Sequence, residues 1–117
     1  MKKAIVYAVA FSVSFVLGAL ASPIDGPLHA SSVVAPNAVD SYNNIVLKGG
    51  ERSSFLVDGD GDSDLDCFLL DSDGDVVVSD VDETDVCLLS VSPRRSDVYH
   101  LRIKNHGMAN AYTLAVR

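Results

Sequence analysis

A dense run of carboxylates is the part of this sequence best suited to chemistry. Residues 58 to 85 include twelve Asp or Glu side chains and no Lys or Arg. Alternating carboxylates in a glycine-containing loop can converge on one Ca²⁺, which prefers oxygen ligands. Two stretches have this spacing, and their candidate ligands are Asp58, Asp60, Asp62, Asp64 and Asp66 in the first and Asp71, Asp73 and Asp75 in the second. The spacing therefore makes Ca²⁺ a candidate cofactor.

Neither stretch is an EF-hand loop. The sixth position is Ser63 or Val76 where that loop requires glycine, and the twelfth is Leu69 or Asp82 where it uses a bidentate glutamate. A second interpretation is that Asp and Gly residues form tight turns and keep an exported protein soluble. The sequence leaves both interpretations open.

The residues that usually perform catalysis are scattered. An enzyme needs a nucleophile with a base, or an acid and base pair, held in a cleft. The histidines are His29 near a proline-rich segment, His100 in a predicted strand and His106 in a predicted turn, and no serine lies in a G-x-S-x-G motif. A zinc site made from both cysteines and two of these histidines has the wrong spacing for known zinc fingers. We therefore expect no enzymatic activity.

The first 21 residues have the features of a signal peptide. Basic Lys2 and Lys3 precede an apolar run from residue 4 to 17, and Ala19-Leu20-Ala21 matches the motif that signal peptidases cleave. We predict cleavage after Ala21, which makes the protein secreted or periplasmic. A membrane anchor is the alternative, because about 20 apolar residues can span a bilayer. No later segment is apolar enough, so we expect no transmembrane segment after cleavage.

Charge restricts the partners of the 96 residues that follow. They contain seven Lys or Arg and sixteen Asp or Glu, a net charge of −9. Such a chain is repelled by phosphate backbones and anionic membranes. We therefore expect no nucleic acid partner, and we expect cations or basic proteins instead.

The two cysteines, Cys67 and Cys87, are predicted to form a disulfide, because exported chains enter an oxidising compartment. The bridge would close a loop of about 20 residues, which stabilises the fold by roughly 3 kcal/mol through loop closure. Two separate buried thiols are the alternative.

The pattern of apolar residues predicts one all-β domain. Residues 22–39 contain three prolines and no periodicity, so we predict a flexible leader there and a folded domain from 40 to 117. Short apolar runs then recur about every ten residues, separated by turn-forming residues. The predicted strands are Tyr42–Leu47, Ser53–Val57, Leu65–Leu70, Val76–Ser79, Val86–Val91, Val98–Lys104 and Ala111–Val116.

Alternation within these strands places both cysteines on inward faces. Leu65, Cys67 and Leu69 share one face of their strand, and Cys87, Leu89 and Val91 share one face of theirs. Two strands whose core sides face each other can bring such residues within bridging distance, which supports the disulfide.

The order of motifs from Tyr42 to Arg117 resembles the bacterial pre-peptidase C-terminal domain. The matching stretches are Gly49-Gly50-Glu51, Asp64 to Leu69 followed by Asp71 to Gly74, Val91-Ser92-Pro93, Tyr99 to Ile103, and Tyr112 to Val116. Asp97 and Cys67 depart from the usual glycine and leucine of that family. The resemblance implies a single antiparallel β-sandwich, jelly-roll-like, with about seven to eight strands. It also implies a non-catalytic appendage of a secreted hydrolase, related to calcium-binding, collagen-binding modules of clostridial collagenases.

These observations favour an exported, non-catalytic binding or accessory module, with Ca²⁺ as a candidate stabiliser of its acidic loops. Its partner would be a protein, the extracellular matrix or a cell surface. Two alternatives remain: a small secreted enzyme or an inhibitor of a secreted hydrolase, and a structural protein of the envelope or matrix.

Overall fold

The computed structural model describes residues 28–117, and these residues form eight antiparallel β-strands. The strands are β1 (Leu28–Val34), β2 (Val39–Leu47), β3 (Ser53–Asp58), β4 (Leu65–Leu70), β5 (Val76–Asp80), β6 (Val86–Val91), β7 (Asp97–Asn105) and β8 (Asn110–Val116). All seven predicted strands are present as β2 to β8. Their ends agree within one residue, apart from the start of β2, which lies at Val39 instead of Tyr42.

Strand β1 corrects the prediction of a flexible leader over residues 22–39. Residues 28–34 pair with β8 in continuous register, from Leu28 opposite Val116 to Val34 opposite Asn110. Alternation in this segment is weak because Ala30 and Ser32 stand where large apolar residues would mark an inward face. The partner strand supplies the hydrogen bonds that specify it. Residues 22–27 and the predicted signal peptide lie outside the described residues.

The strands form two sheets of four. The first sheet has the order β1-β8-β3-β6 and the second has the order β2-β7-β4-β5. Strands are thus paired 1 with 8, 3 with 6, 2 with 7 and 4 with 5, which is a jelly-roll arrangement of a β-sandwich. This confirms the predicted fold class. The part of the chain that the structure describes contains no helix able to cross a membrane.

The core lies between the two sheets and is built from alternate residues of each strand. In β4 the buried residues are Leu65, Cys67 and Leu69, and in β7 every second residue from Tyr99 to Asn105 is buried. The inward faces therefore agree with the sequence alternation. Cys67 in β4 and Cys87 in β6 form the predicted disulfide across the sandwich, with their Cα atoms 6.2 Å apart.

A chain of three polar groups also joins the sheets inside the core. The Tyr42 hydroxyl donates to the Tyr112 hydroxyl at 2.7 Å, and Tyr112 donates to Asp40 Oδ2 at 2.7 Å. Burial raises the pKa of Tyr42 to about 12 and the pKa of Tyr112 well above its usual value. Burial also raises the pKa of Asp40, although the Tyr112 hydrogen bond partly offsets the effect. Both phenols thus stay neutral donors at ordinary pH.

Candidate binding surface at the acidic end

Four loops meet at one end of the sandwich because antiparallel strands return there in turn. They are residues 35–38, 59–64, 81–85 and 106–109. Together with the adjoining strand ends, this end carries nine carboxylates, at Asp58, Asp60, Asp62, Asp64, Asp66, Asp80, Asp82, Glu83 and Asp85. We call it the acidic end. It contains the first candidate calcium stretch.

The opposite end is formed by loops 48–52, 71–75 and 92–96 and by the C-terminal residue. It carries five of the seven Lys or Arg residues that follow the predicted signal peptide, at Lys48, Arg52, Arg94, Arg95 and Arg117. The second candidate calcium stretch, Asp71 to Asp75, lies there too. The two stretches therefore lie at opposite ends of the molecule, and the charge is distributed unequally along its long direction.

Asn110, the first residue of β8, ties two loops of the acidic end together. Its side chain is fully buried, and its Nδ2 donates to Asp85 Oδ2 at 2.9 Å and to Ser63 Oγ at 2.8 Å. Its Oδ1 accepts the Asp60 N–H at 3.1 Å. Asp85 is itself 7% exposed and accepts the Gly61 N–H with the same Oδ2 at 2.6 Å. The buried carboxylate thus accepts two hydrogen bonds, one from loop 59–64 and one from β8.

Asn105, the last residue of β7, ties loops 35–38 and 106–109 together. Its Nδ2 donates to the carbonyl oxygens of Ala35 and Met108, at 3.2 and 2.7 Å. Its Oδ1 accepts Ser63 Oγ at 2.9 Å and the Gly107 N–H at 3.1 Å. Because Ser63 contacts both asparagines, all four loops belong to one hydrogen-bonded network.

Gly59 makes the close approach of these loops possible. A Cβ atom at this position would overlap the carboxylate of Asp85 and the side chain of Asn110. Any larger residue would therefore push loop 59–64 away from loop 81–85. The glycine in the Asp58-Gly59-Asp60 motif is required by packing against the network, independently of any metal.

Several candidate calcium ligands accept hydrogen bonds from backbone N–H groups. Asp60 Oδ1 accepts the Asp62 N–H at 3.3 Å and Asp60 Oδ2 accepts the Ala111 N–H at 2.9 Å. The Ala111 bond lowers the pKa of Asp60, while a side-chain hydrogen bond between the two carboxyl groups raises the pKa of Asp62. At the opposite end, Asp71 Oδ1 accepts the N–H groups of Asp73 and Asp75 at 2.9 and 3.0 Å. These bonds are those expected of turn-forming aspartates.

Two buried carboxylate oxygens of the acidic end have no such bonds. Asp64 Oδ1 and Asp66 Oδ1 are buried and have no hydrogen-bond partner among the described residues, while Asp66 Oδ2 lies 2.7 Å from His106 Nε2. Loss of solvent and the Asp66 charge raise the pKa of Asp64. Ca²⁺ takes six to eight oxygens, and within residues 28–117 no three His, Cys, Asp or Glu side chains are grouped to hold a metal. The described side chains therefore form no preassembled set of ligands, and calcium binding stays a prediction.

The outer face of the first sheet adjoins the acidic end and is largely uncharged. Leu56, Val86 and Leu88 are exposed there, with Leu88 at 62%. A shallow, open depression of about 590 Å³ lies where this face meets loop 59–64, lined by residues 31–33, 58–60 and 111–113. Its polar side chains are hydroxyls and carboxylates, and no histidine lines it.

Sequence reasoning found the carboxylates but missed the two asparagines that organise them. Asn105 and Asn110 lie at strand ends on either side of a turn, and single asparagines beside turns are ordinary in sequences. The only available signal was that both continue the inward alternation of Ile103 and Tyr112 just beyond the predicted strands, at positions where a buried polar residue requires partners. That signal indicates buried polar side chains, but not which loops they reach.

Comparison with known proteins supports the fold alone. No family model and no curated protein matches the sequence. Among solved structures, the chain is similar to PliG of Aeromonas hydrophila, a periplasmic lysozyme inhibitor of g-type lysozyme. The match has a TM-score of 0.55 and 15% sequence identity, and covers 77% of this chain and 83% of that one. The resemblance to the pre-peptidase C-terminal domain stays a prediction that these comparisons do not test.

Proposed function

We propose that this chain is an exported, non-catalytic protein that inhibits a secreted hydrolase, and that its acidic end contacts the enzyme. The disulfide between Cys67 and Cys87 supports export, because such bonds persist in oxidising compartments. The similar fold of a periplasmic lysozyme inhibitor supports a protein partner of this class. This interpretation was one of the alternatives that the sequence left open.

The hydrogen-bonded network of the acidic end is the observation that carries the proposal. An inhibitor must present loops that keep their shape when they meet the enzyme, because ordering mobile loops on binding costs affinity. Asn105 and Asn110 hold four loops together through buried side chains. The surface is thus organised before any partner binds.

The charge of this surface defines the kind of enzyme. One end of the sandwich carries nine carboxylates, most of them exposed, in a chain whose net charge is −9 without the predicted signal peptide. Complementary charge accelerates association and fixes orientation, and the effect weakens as salt increases. We therefore infer a hydrolase whose surface around its active site is basic.

The first test is inhibition of a g-type lysozyme by the oxidised protein, residues 22–117, with a peptidoglycan suspension as substrate. We expect inhibition that weakens with increasing salt. Glu83→Gln at the acidic end should slow association severalfold, because it removes one exposed charge. Asp73→Asn at the opposite end removes the same charge and is the matched control.

Each outcome bears on a separate part of the proposal. Equal effects of Glu83→Gln and Asp73→Asn would show that the acidic end is not the contact surface. No inhibition of g-type lysozyme or of other peptidoglycan hydrolases would refute the inhibitor function.

A non-inhibitory binding or accessory module is the second candidate. The jelly-roll fold favours it, because that is the fold implied by the resemblance to the pre-peptidase C-terminal domain. It predicts binding to a hydrolase or to a matrix without loss of enzyme activity, so the same assay separates the two candidates.

A further inference from the structure

Three of the four edge strands of the sandwich are protected against pairing with another chain. Strand β2 has a bulge at Asn43 and Asn44, where Asn44 has a φ of 61° and donates its N–H to His100 Nδ1 at 3.3 Å. In β6 the free edge is capped, because Asp80 Oδ2 accepts the Leu88 N–H at 3.0 Å. Strand β5 is only five residues long and pairs with β4 through an irregular register. Bulges, charges and short length are the devices that block edge pairing.

Strand β1 has none of these devices. It is seven residues long, pairs with β8 without a register shift, and contains no proline, lysine, arginine, aspartate or glutamate. Its outward side chains include His29, Ser31 and Val33, and within residues 28–117 no strand pairs with its other edge. Alternate backbone N–H and C=O groups of an edge strand point away from the sheet and can accept a further strand.

We propose that β1 pairs with β1 of a second copy in antiparallel orientation, joining the two first sheets into one sheet of eight strands. Centred on Ser31, this pairing sets Ser31 opposite Ser31 and His29 opposite Val33, so no two like charges face each other. The contact is self-complementary, as a twofold interface requires.

Charge favours the antiparallel orientation of this pair. Strand β1 runs from the opposite end toward the acidic end. In an antiparallel pair, the acidic end of each copy therefore lies beside the opposite end of the other, where five Lys or Arg residues balance five Asp or Glu residues. A parallel pair would place eighteen carboxylates side by side. The two acidic ends then face away from each other, so the dimer does not depend on the proposed inhibition and leaves both binding surfaces free.

Sedimentation velocity of the oxidised protein, residues 22–117, tests the proposal from micromolar to millimolar concentration. We expect a reversible dimer. Ser31→Lys should raise its dissociation constant roughly fivefold or more, because two lysines then face each other across the pair. Thr113→Lys is the matched control, since Thr113 is the exposed β8 residue opposite Ser31 and lies one strand in from the edge.

A monomer at every concentration would overturn the proposal, and so would equal weakening by Ser31→Lys and Thr113→Lys, which would indicate packing of sheet faces. A second measurement detects the formation of a covalent dimer instead of a loss of affinity. Ser31→Cys should give covalent dimers on mild oxidation, because Cβ atoms of directly opposed residues in antiparallel strands approach to about 4.5 Å, a separation that a disulfide can span. Thr113→Cys should stay monomeric on a non-reducing gel, and covalent dimers in equal yield would contradict edge pairing.

Discussion

Replacing Asn110 with alanine should be among the most damaging single changes in this protein. The substitution removes the hydrogen bonds that Asn110 donates, to Asp85, Ser63 and Asp62, and one that it accepts from the Asp60 N–H. A hydrogen bond to a charged group contributes about 1.5–3 kcal/mol and a neutral one about 0.5–1.5 kcal/mol. The free energy of unfolding should therefore fall by about 3 kcal/mol or more, a large part of the 5–15 kcal/mol typical of a domain.

The matched control is Asn43→Ala, which removes the same side chain at a half-buried position. Asn43 Oδ1 accepts one bond, from Arg102 Nη1 at 2.9 Å. We expect this control to cost less than about 1 kcal/mol, because water can replace the lost partner of the arginine.

Urea unfolding followed by circular dichroism measures both variants, and thermal unfolding gives a second reading. For a domain of this size, about 3 kcal/mol corresponds to a decrease in Tm of roughly 12–24 °C. If the losses in free energy of unfolding caused by Asn110→Ala and Asn43→Ala differ by less than about 0.5 kcal/mol, the network does not stabilise the acidic end. Its loops would then not be held in place before a partner binds.

Three further predictions concern the core and the acidic loops. Replacing Cys67 and Cys87 together with alanine should lower the free energy of unfolding by about 3 kcal/mol or more in urea, because a closed loop of 20 residues is opened; an unchanged midpoint would contradict the loop-closure estimate. Since the pKa of Tyr42 is raised to about 12, the folded state holds its phenol proton more tightly than the unfolded state does. Stability should therefore be intact below pH 10 and fall as the pH rises through about 12, as measured by urea unfolding at several alkaline pH values, and Tyr42→Phe should weaken that dependence. If the acidic loops bind calcium, Ca²⁺ should raise the thermal unfolding midpoint above that measured in chelator or Mg²⁺. Equal midpoints would show that the loops do not bind calcium.

The strands and the core were largely predictable because side chains alternate along a strand with a period of two. Leu65 and Cys67 in β4, and Leu101 and Ile103 in β7, are apolar residues separated by a polar one, and all four are fully buried. Strand β1 could not be predicted in this way. Its inward positions hold Ala30 and Ser32, so the segment depends on its pairing with β8 more than on its own pattern.

The sequence predicted which acidic residues belong to the candidate site, but not how they are arranged. Asp60 and Asp85 are 25 residues apart in sequence, and both reach Asn110. Spacing alone grouped the aspartates as two calcium loops, whereas the fold places Asp71 to Asp75 at the other end of the molecule. Hydrogen bonds from the backbone and from Asn110 occupy several carboxylates that spacing had assigned to a metal.

By itself, the sequence determined the class of fold and the inward faces, because the alternation of apolar residues is local. It also determined the disulfide, because an exported chain with two cysteines is expected to pair them in an oxidising compartment. Its acidic charge and its scattered histidines were likewise visible without coordinates. Only the tertiary structure decided which four loops share one end, that β1 exists and forms an edge, and that Asn105 and Asn110 bind these loops together. Those features depend on strand pairs such as β1 with β8, whose residues lie up to 88 positions apart, and no local pattern specifies contacts over that distance.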